Sequence, residues 1–421
     1  MAMFRVSEKT GRNLKDIKLS NRAIIFRAIR EAQTISRADL AKLTGLNPAT
    51  ITNIARELLE QGLIEEAGFS GSKGGRPSAL LKICSKHSYI IAVRVSRHNI
   101  HALLTDLDLQ YVVRRSVNSS SLSHPVDISR PTLLNLIQTL ITQSGVDPTR
   151  ISGIGICAPG PLDAQRGMLI APPNFPSWPS TPIASIVESE IGFPTFLDND
   201  ANAAALAEKW FGGAKELNNF IYILIEDGVG GGLVFNGDIY RGEHDVAGEI
   251  GHMTIDFNGP RCDCGNLGCL ELYTSPRTVE EYLLKAIASG QTTLVKKMTD
   301  SSPQQVTFES VVKAAMQGDA IAREAMFRFT DALVVGVVNV INMFDPGAVV
   351  LGGKIGLAGD LILPRLKQEV ARRLLPRGNK EIPILISELS EDAPIIGAFC
   401  LVLRELFHNP DFQRDTALSV Q

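Results

Sequence analysis

At 421 residues, with 44% hydrophobic and 21% charged residues, the chain exceeds one ordinary domain and carries apolar surface for two or three packed units. No apolar run reaches the roughly 18 residues that span a bilayer, residues 1–18 lack the apolar stretch of a secretion signal, and six cysteines are too few for a disulfide scaffold at this size. The cytoplasm is the expected compartment, without membrane insertion. The net charge of −3 is unevenly spread: residues 1–82 hold 14 Lys and Arg against 8 Asp and Glu, leaving the remainder at −9. A basic head on an acidic body points to a polyanion bound at the N-terminal end.

Within residues 19–32, Ile24, Ile25, Ala28 and Ile29 fall on one helix face. Ser36 opens a second helix with Asp39 as the acidic partner of a capping box. Leu40 and Leu43 supply its buried side, and Gly45 permits a sharp turn. Asn47 and Pro48 cap and start a third helix. That helix buries Ile51, Ile54, Ala55 and Leu58 and presents Ala49, Thr50, Thr52, Asn53 and Arg56. These are small and polar groups suited to base edges and phosphates in a major groove. Ser36 and Arg37 join the expected DNA-facing set. Short strands at 63–66 and 80–83 flank a Gly/Lys/Arg loop, a wing whose Lys73 and Arg76 can reach phosphates or a minor groove. Residues 1–83 therefore read as a winged helix-turn-helix with double-stranded DNA as its partner.

From residue 89 onward, β-rich stretches at 90–95, 100–106, 154–157, 220–225, 232–235 and 348–351 alternate with helical ones at 131–143, 202–211 and 322–342. This alternation is an α/β fold with largely buried sheets, long enough for two lobes with a ligand cleft between them. Cys84, Cys157 and Cys400 stand singly among apolar residues and read as small core residues. Cys262, Cys264 and Cys269 crowd one segment shortly after His252. One histidine and three cysteines make a complete tetrahedral set, so His252, Cys262, Cys264 and Cys269 read as a structural Zn2+ site. No coordination position stays open for a reactive water. Glycines at 265 and 268 let the backbone wrap around the ion.

Several further runs carry a resemblance: Ala158-Pro-Gly-Pro-Leu-Asp163, Leu197-Asp-Asn-Asp-Ala-Asn-Ala-Ala204, Gly228-Val-Gly-Gly-Gly232, Glu249-Ile-Gly-His252, the cysteine cluster through Glu271, and Val350-Leu-Gly-Gly353. Together they resemble the ROK family of repressors, open reading frames and sugar kinases. The added head is similar to the family's repressor branch, whose members answer to xylose, N-acetylglucosamine or glucose uptake. The resemblance implies a two-lobed, actin-like body of the sugar-kinase (ASKHA) ATPase type. Its first lobe is expected over 84–196, completed by a C-terminal helix near 394–409. The second, over 197–393, carries the zinc site and a dimerisation surface. The resemblance also implies that Asn174, Asn199, Asp200, Glu249, His252 and Glu271 hold a sugar, with Asp200 at the position of the kinase base. Carboxylates and amides suit that task, because each holds a hydroxyl by strong hydrogen bonds. Asn199 and Asp200 also precede a helix at 201–205, so capping competes with ligand contact.

The chain departs from the kinase pattern where nucleotide phosphates would lie. Phosphoryl transfer needs a glycine-rich, anion-friendly cradle. Here the turn after the first strand is Val93-Arg-Val-Ser-Arg-His98, without glycine, and Glu226-Asp227-Gly228 stands where the kinases carry Gly-Thr-Gly. Two carboxylates beside phosphates would repel them. The expectation is a sugar-responsive DNA-binding regulator of carbohydrate uptake or catabolism genes, a repressor by family default. It is not an enzyme, needs no ATP, has no catalytic residue, and acts as a homodimer or tetramer. A sugar kinase with an accessory head, or a repressor controlled by a protein inducer, stands as the alternative.

Overall fold

The computed structural model describes residues 14–69, 78–97, 99–118, 126–172, 178–299, 305–376 and 381–408. The head comprises α1 (Leu14–Ala32), β1 (Ile35–Ser36), α2 (Arg37–Thr44), α3 (Pro48–Glu60), β2 (Ile64–Phe69) and β3 (Ala79–Ile83), its strands in the order β1-β3-β2. Ser36 accepts the Asp39 amide to cap α2, and Gly45 ends that helix at φ 68°, a backbone region that disfavours side chains. Asn47 caps α3 with Pro48 in its first turn. Ile51, Ile54, Ala55 and Leu58 close on Ile25, Ile29 and Leu40. Two expectations fail. Leu43 is 64% exposed, because Leu46, beyond the turn, packs on the core in its place. Cys84 is half-buried beside Glu65, at the junction of head and body, where less chain covers it.

The first lobe holds β4 (Tyr89–Val95), β5 (Asn99–Asp106), β6 (Tyr111–Asn118), α4 (Val126–Ser144), β7 (Ile151–Ala158), the hairpin β8 (Leu162–Asp163) and β9 (Met168–Leu169), α5 (Ile183–Ile191) and β10 (Thr195–Asn199). Its sheet runs β10-β7-β4-β5-β6. The chain then enters α6 (Asp200–Trp210) and a second sheet ordered β13-β12-β11-β14-β15. Those strands are β11 (Phe220–Ile225), β12 (Val229–Phe235), β13 (Asp238–Ile239), β14 (Val349–Gly353) and β15 (Ile384–Ile386). Each sheet is an antiparallel three-strand meander extended by two parallel strands. The body is thus the same unit built twice. Because β10 pairs with β7 through Asn199, the change of lobe falls at α6 and not at residue 197.

The second lobe is covered by α7 (Glu271–Thr274), α8 (Pro276–Ala288), α9 (Leu294–Met298), α10 (Phe308–Met316), α11 (Ala320–Phe344) and α12 (Gly359–Arg373). By length and composition α11 could cross a bilayer; here Phe329, Leu333, Val337 and Val340 bury it in that lobe's core. Helix α13 (Ala393–His408) returns to the first lobe. A Cβ at Gly155 on β7 would lie 1.8 Å from the Ala398 carbonyl, and one at Gly397 would lie 2.0 Å from that of Ala203. Glycine at these two sites lets α13 pack backbone to backbone against both β7 and the alanine-rich α6.

Head and body share a core. Phe26 on α1 lies 5.3 Å from Phe407 on α13, which stacks on Trp210 at 5.7 Å, ring centre to ring centre. The Arg30 guanidinium sits 4.7 Å over the Phe211 ring and bonds the Asp108 carbonyl at 3.1 Å. Arg27 pairs with Glu216 at 3.3 Å, Glu31 pairs with Lys215, and buried Arg22 donates to the Phe407 carbonyl. One helix of the head is therefore clamped by α13 and by the loop that follows α6.

Candidate functional site

The exposed face of α3 carries Ala49, Thr52, Asn53 and Arg56, with Thr50 half-buried. Thr52 Oγ1 bonds the Pro48 carbonyl at 2.9 Å and Arg56 lies 4.0 Å from Glu60. Arg37 reaches Glu66 on β2 at 3.2 Å. Ser36 is 3% exposed and its hydroxyl is committed to Asp39. It fixes the start of α2 and does not present itself to a groove. Lys73 and Arg76 lie outside the described residues.

Between the lobes opens a cleft of about 670 Å³ including its mouth. Asn199, Asp200, Glu249, His252 and Glu271 line it together, from β10, α6, the segment after β13 and α7. Asn174 lies outside the described residues. Asn199 does cap α6, its Oδ1 accepting the amides of Ala201 and Asn202 at 2.9 and 3.3 Å, which leaves its Nδ2 available. A Cβ at Gly160 would lie 2.9 Å from Glu249 Oε1 and 3.0 Å from Asn199 Nδ2. Only glycine leaves these two groups facing shared open space. Glu271 Oε2 accepts the Val229 amide at 2.9 Å. Burial pushes the Asp200 carboxyl above the usual carboxylate range, against the pull of Arg94. Burial raises Glu249 too, with His252 opposing and Asp200 and Glu271 adding repulsion.

The other half of the cleft is lined differently. Arg94 reaches across from β4 to Glu226 at 3.4 Å, and Lys354 reaches Asp227 at 3.1 Å. Arg97 sits 3.9 Å from Glu271. Glu226 and Asp227 are therefore not bare anions repelling a phosphate, as their sequence suggested. Cationic partners hold them, and Arg94, Glu226 and Asp227 line the cleft as members of ion pairs. Arg94, Arg97 and Lys354 as partners were missed, because each pair joins segments far apart in the chain. Arg94 and Arg97 in place of a glycine turn were the available signal.

Beside the cleft, one ligand atom each from His252, Cys262, Cys264 and Cys269 lie within 4.8 Å of one another. Cys264 and Cys269 sulfurs are 3.7 Å apart, and His252 Nδ1 is 3.8 Å from Cys262 Sγ. Tetrahedral geometry with bonds of about 2.3 Å to sulfur implies edges of about 3.7 Å, so the four fit one small metal ion. Asn266 Nδ2 bonds the His252 carbonyl at 3.0 Å and ties the cysteine loop to the cleft. With Nδ1 turned to the thiols, His252 keeps Nε2 for the cleft.

The sequence profile of the ROK family matches residues 90–405, and one described as winged helix-turn-helix DNA-binding matches residues 21–65. The xylose repressor of Bacillus subtilis (strain 168) is 32% identical over 387 residues, 92% of this chain and 96% of that protein. The crystal structure of a ROK family transcriptional regulator, a homologue of the Escherichia coli MLC protein, superposes with a TM-score of 0.77 at 27% identity, covering 95% of this chain and 99% of that one. A ROK family glucokinase from Streptomyces griseus, in complex with glucose and AMPPNP, superposes with a TM-score of 0.67 at 27% identity. It covers 75% of this chain and 99% of its own.

Proposed function

The chain belongs to the ROK family, and on that premise we propose that it is a sugar-responsive transcriptional repressor that binds its effector in the interlobe cleft. The DNA-binding head and the likeness to repressors along nearly the whole chain make it a regulator and not an enzyme. Its effector is a free sugar, held by Asn199, Asp200, Glu249, His252 and Glu271. The observation that carries this reading is the division of the cleft. Asn199, Asp200, Glu249 and Glu271 line one side of it, while the side a nucleotide would need is lined by Arg94, Glu226 and Asp227, charged groups tied up in the Arg94–Glu226 and Lys354–Asp227 pairs where a phosphate cradle would have glycine. A phosphate added to the sugar would meet Asp200, Glu249 and Glu271 as like charges, which favours the unphosphorylated form.

The metal is zinc. His252, Cys262, Cys264 and Cys269 hold it, and it fixes the loop behind Glu249 and His252. Buried between the lobes, α6 links the cleft to the head: Asp200 stands at its start, Phe211 and Glu216 meet Arg30 and Arg27 of α1, and Trp210 reaches Phe26 of α1 through Phe407. A sugar that changes the lobe angle thereby changes how α1 presents α3 to DNA, in a symmetric dimer reading two half-sites in the cytoplasm. Thr50, Thr52, Asn53, Arg56 and Arg37 face that DNA, with Lys73 and Arg76 on the wing. The test is titration of the zinc-loaded chain with free xylose, glucose and N-acetylglucosamine, with and without ATP. One sugar that binds, with no ATP effect and no ADP formed, is the expected outcome. Sugar-dependent ADP formation that is lost in Asp200→Asn would establish a kinase instead.

A further inference from the structure

Asp198 is 2% exposed and carries a charge, so its burial demands partners. It has three. Oδ1 accepts the Asn199 amide at 2.8 Å and the Asn202 side-chain amide at 3.2 Å. Oδ2 accepts Arg241, which arrives from the opposite lobe. One carboxylate therefore sets the end of β10 and the first turn of α6, the two places from which Asn199 and Asp200 enter the cleft. Arg241 begins a compact loop: the Ala247 amide closes on the Arg241 carbonyl at 3.0 Å, and the chain proceeds directly to Gly248 and Glu249. The same loop grips the first lobe a second time, where Asp245 Oδ2 accepts the Ala164 amide at 3.3 Å. Asp245 does so at φ 56°, a left-handed conformation that costs energy for a residue with a side chain. Gly248 rests on β12 so closely that a Cβ there would lie 2.2 Å from the Gly231 carbonyl. The loop is thus fixed to its own lobe at one end and bonded to the other lobe at two points.

We propose that Arg241 is a positioning residue for the sugar site: its ion pair with Asp198 sets the distance between Asn199–Asp200 on one lobe and Glu249 on the other. This rests on the sugar reading of the cleft given above. Arg241 is not among the residues that line the cleft; it acts through Asp198 and through the loop that ends in Glu249. Its guanidinium makes a charge-assisted bond to a carboxylate that is otherwise buried, so the coupling is strong and directional.

The test is calorimetric titration of the full zinc-loaded chain with free D-xylose, D-glucose and N-acetyl-D-glucosamine, comparing wild type with Arg241→Gln and Arg241→Lys. Arg241→Gln is expected to raise the Kd of the bound sugar by about tenfold or more, and Arg241→Lys to recover most of that loss. A folded Arg241→Gln chain with wild-type Kd overturns the proposal. So does a lysine variant as weak as glutamine, since the residue would then serve by shape alone. Should Arg241→Gln fail to fold with Asp198 stranded, Arg241→Gln combined with Asp198→Asn removes the stranded charge. That double variant is expected to bind the sugar about tenfold or more weakly than wild type, and wild-type affinity in it overturns the proposal. A wild-type chain that binds none of the three sugars overturns the sugar reading of the cleft as well, which separates that failure from one confined to Arg241.

Discussion

The two halves of the cleft start from the same architecture, one five-stranded sheet on each side, and have been furnished in opposite ways. On the sugar side, Asn199, Asp200 and Glu249 converge on open space with side-chain atoms unspent, and Glu271 joins them, its Oε2 on the Val229 amide and its Oε1 3.9 Å from Arg97. On the nucleotide side, charges of similar number are spent on each other, Arg94 on Glu226 across the lobes and Lys354 on Asp227 within the second lobe. A carboxylate that faces a cavity has hydrogen-bonding capacity left for a ligand; one already held by a cation has little. On the reading proposed above, a family fold can lose one substrate and keep the other without rearranging its sheets, by changing which side chains meet in the cleft.

The comparison can be broken most severely at Asp200. Asp200→Ala should weaken sugar binding about 100-fold, the worth of one or two hydrogen bonds to a charged group, as read by calorimetry. Binding within a few-fold of wild type would mean that the open half is not the ligand site. Removing the metal should cost less. Cys262→Ser, or chelation, frees the loop behind Glu249 and His252, and sugar affinity should fall about 10- to 100-fold, as is usual when groups orienting a site are lost. The check pairs metal analysis with titration, and a demonstrably metal-free chain with unchanged affinity would contradict it. Glu226→Gln probes the ion-paired half. It should leave sugar affinity within about twofold while lowering stability by roughly 1–3 kcal/mol, because Arg94 loses its charged partner; thermal unfolding reads the second effect.

The smallest effect concerns pH. Burial holds the Asp200 and Glu249 carboxyls above their ordinary range. In the folded chain they keep their protons to a higher pH than in the unfolded chain. Their contribution to stability is therefore present on the acid side and is lost as pH rises through the raised values. Sugar binding by the ionised forms runs the other way, weakening as pH falls through those same values. The decline should begin above the ordinary carboxylate pKa of about 4 and should be shallower in Asp200→Asn.

Features whose parts lie close in the chain were legible from sequence. The four metal ligands fall within 252–269, the caps Ser36 and Asn47 each precede the helix they start, and Ile51, Ile54, Ala55 and Leu58 repeat at helical spacing. Where a residue's meaning depends on a distant partner, the sequence reading ran short. Ser36 falls in the expected DNA-facing set because its spacing to Asp39 does not say that it pairs with Leu80 on β3 and is buried. Glu226 and Asp227 looked like bare anions because Arg94 and Lys354 belong to other strands and turns. Asp198 passed unnoticed beside Asn199 and Asp200 for the same reason, its partner being Arg241 on the other lobe. The return of α13 to the first sheet was legible only through the family resemblance, since its contacts with β7 and α6 join the two ends of the body.

The most direct test of the central claim is the affinity of the full chain for a duplex it selects from a random DNA pool, measured with and without a saturating free sugar and with ATP present. Linkage requires that a sugar which releases DNA is itself bound less tightly by the DNA complex, by the same factor. The account predicts that one free sugar lowers DNA affinity by about tenfold or more, reciprocally, with no ADP formed. DNA affinity indifferent to every sugar that binds, or ADP accumulating with that sugar, would contradict it.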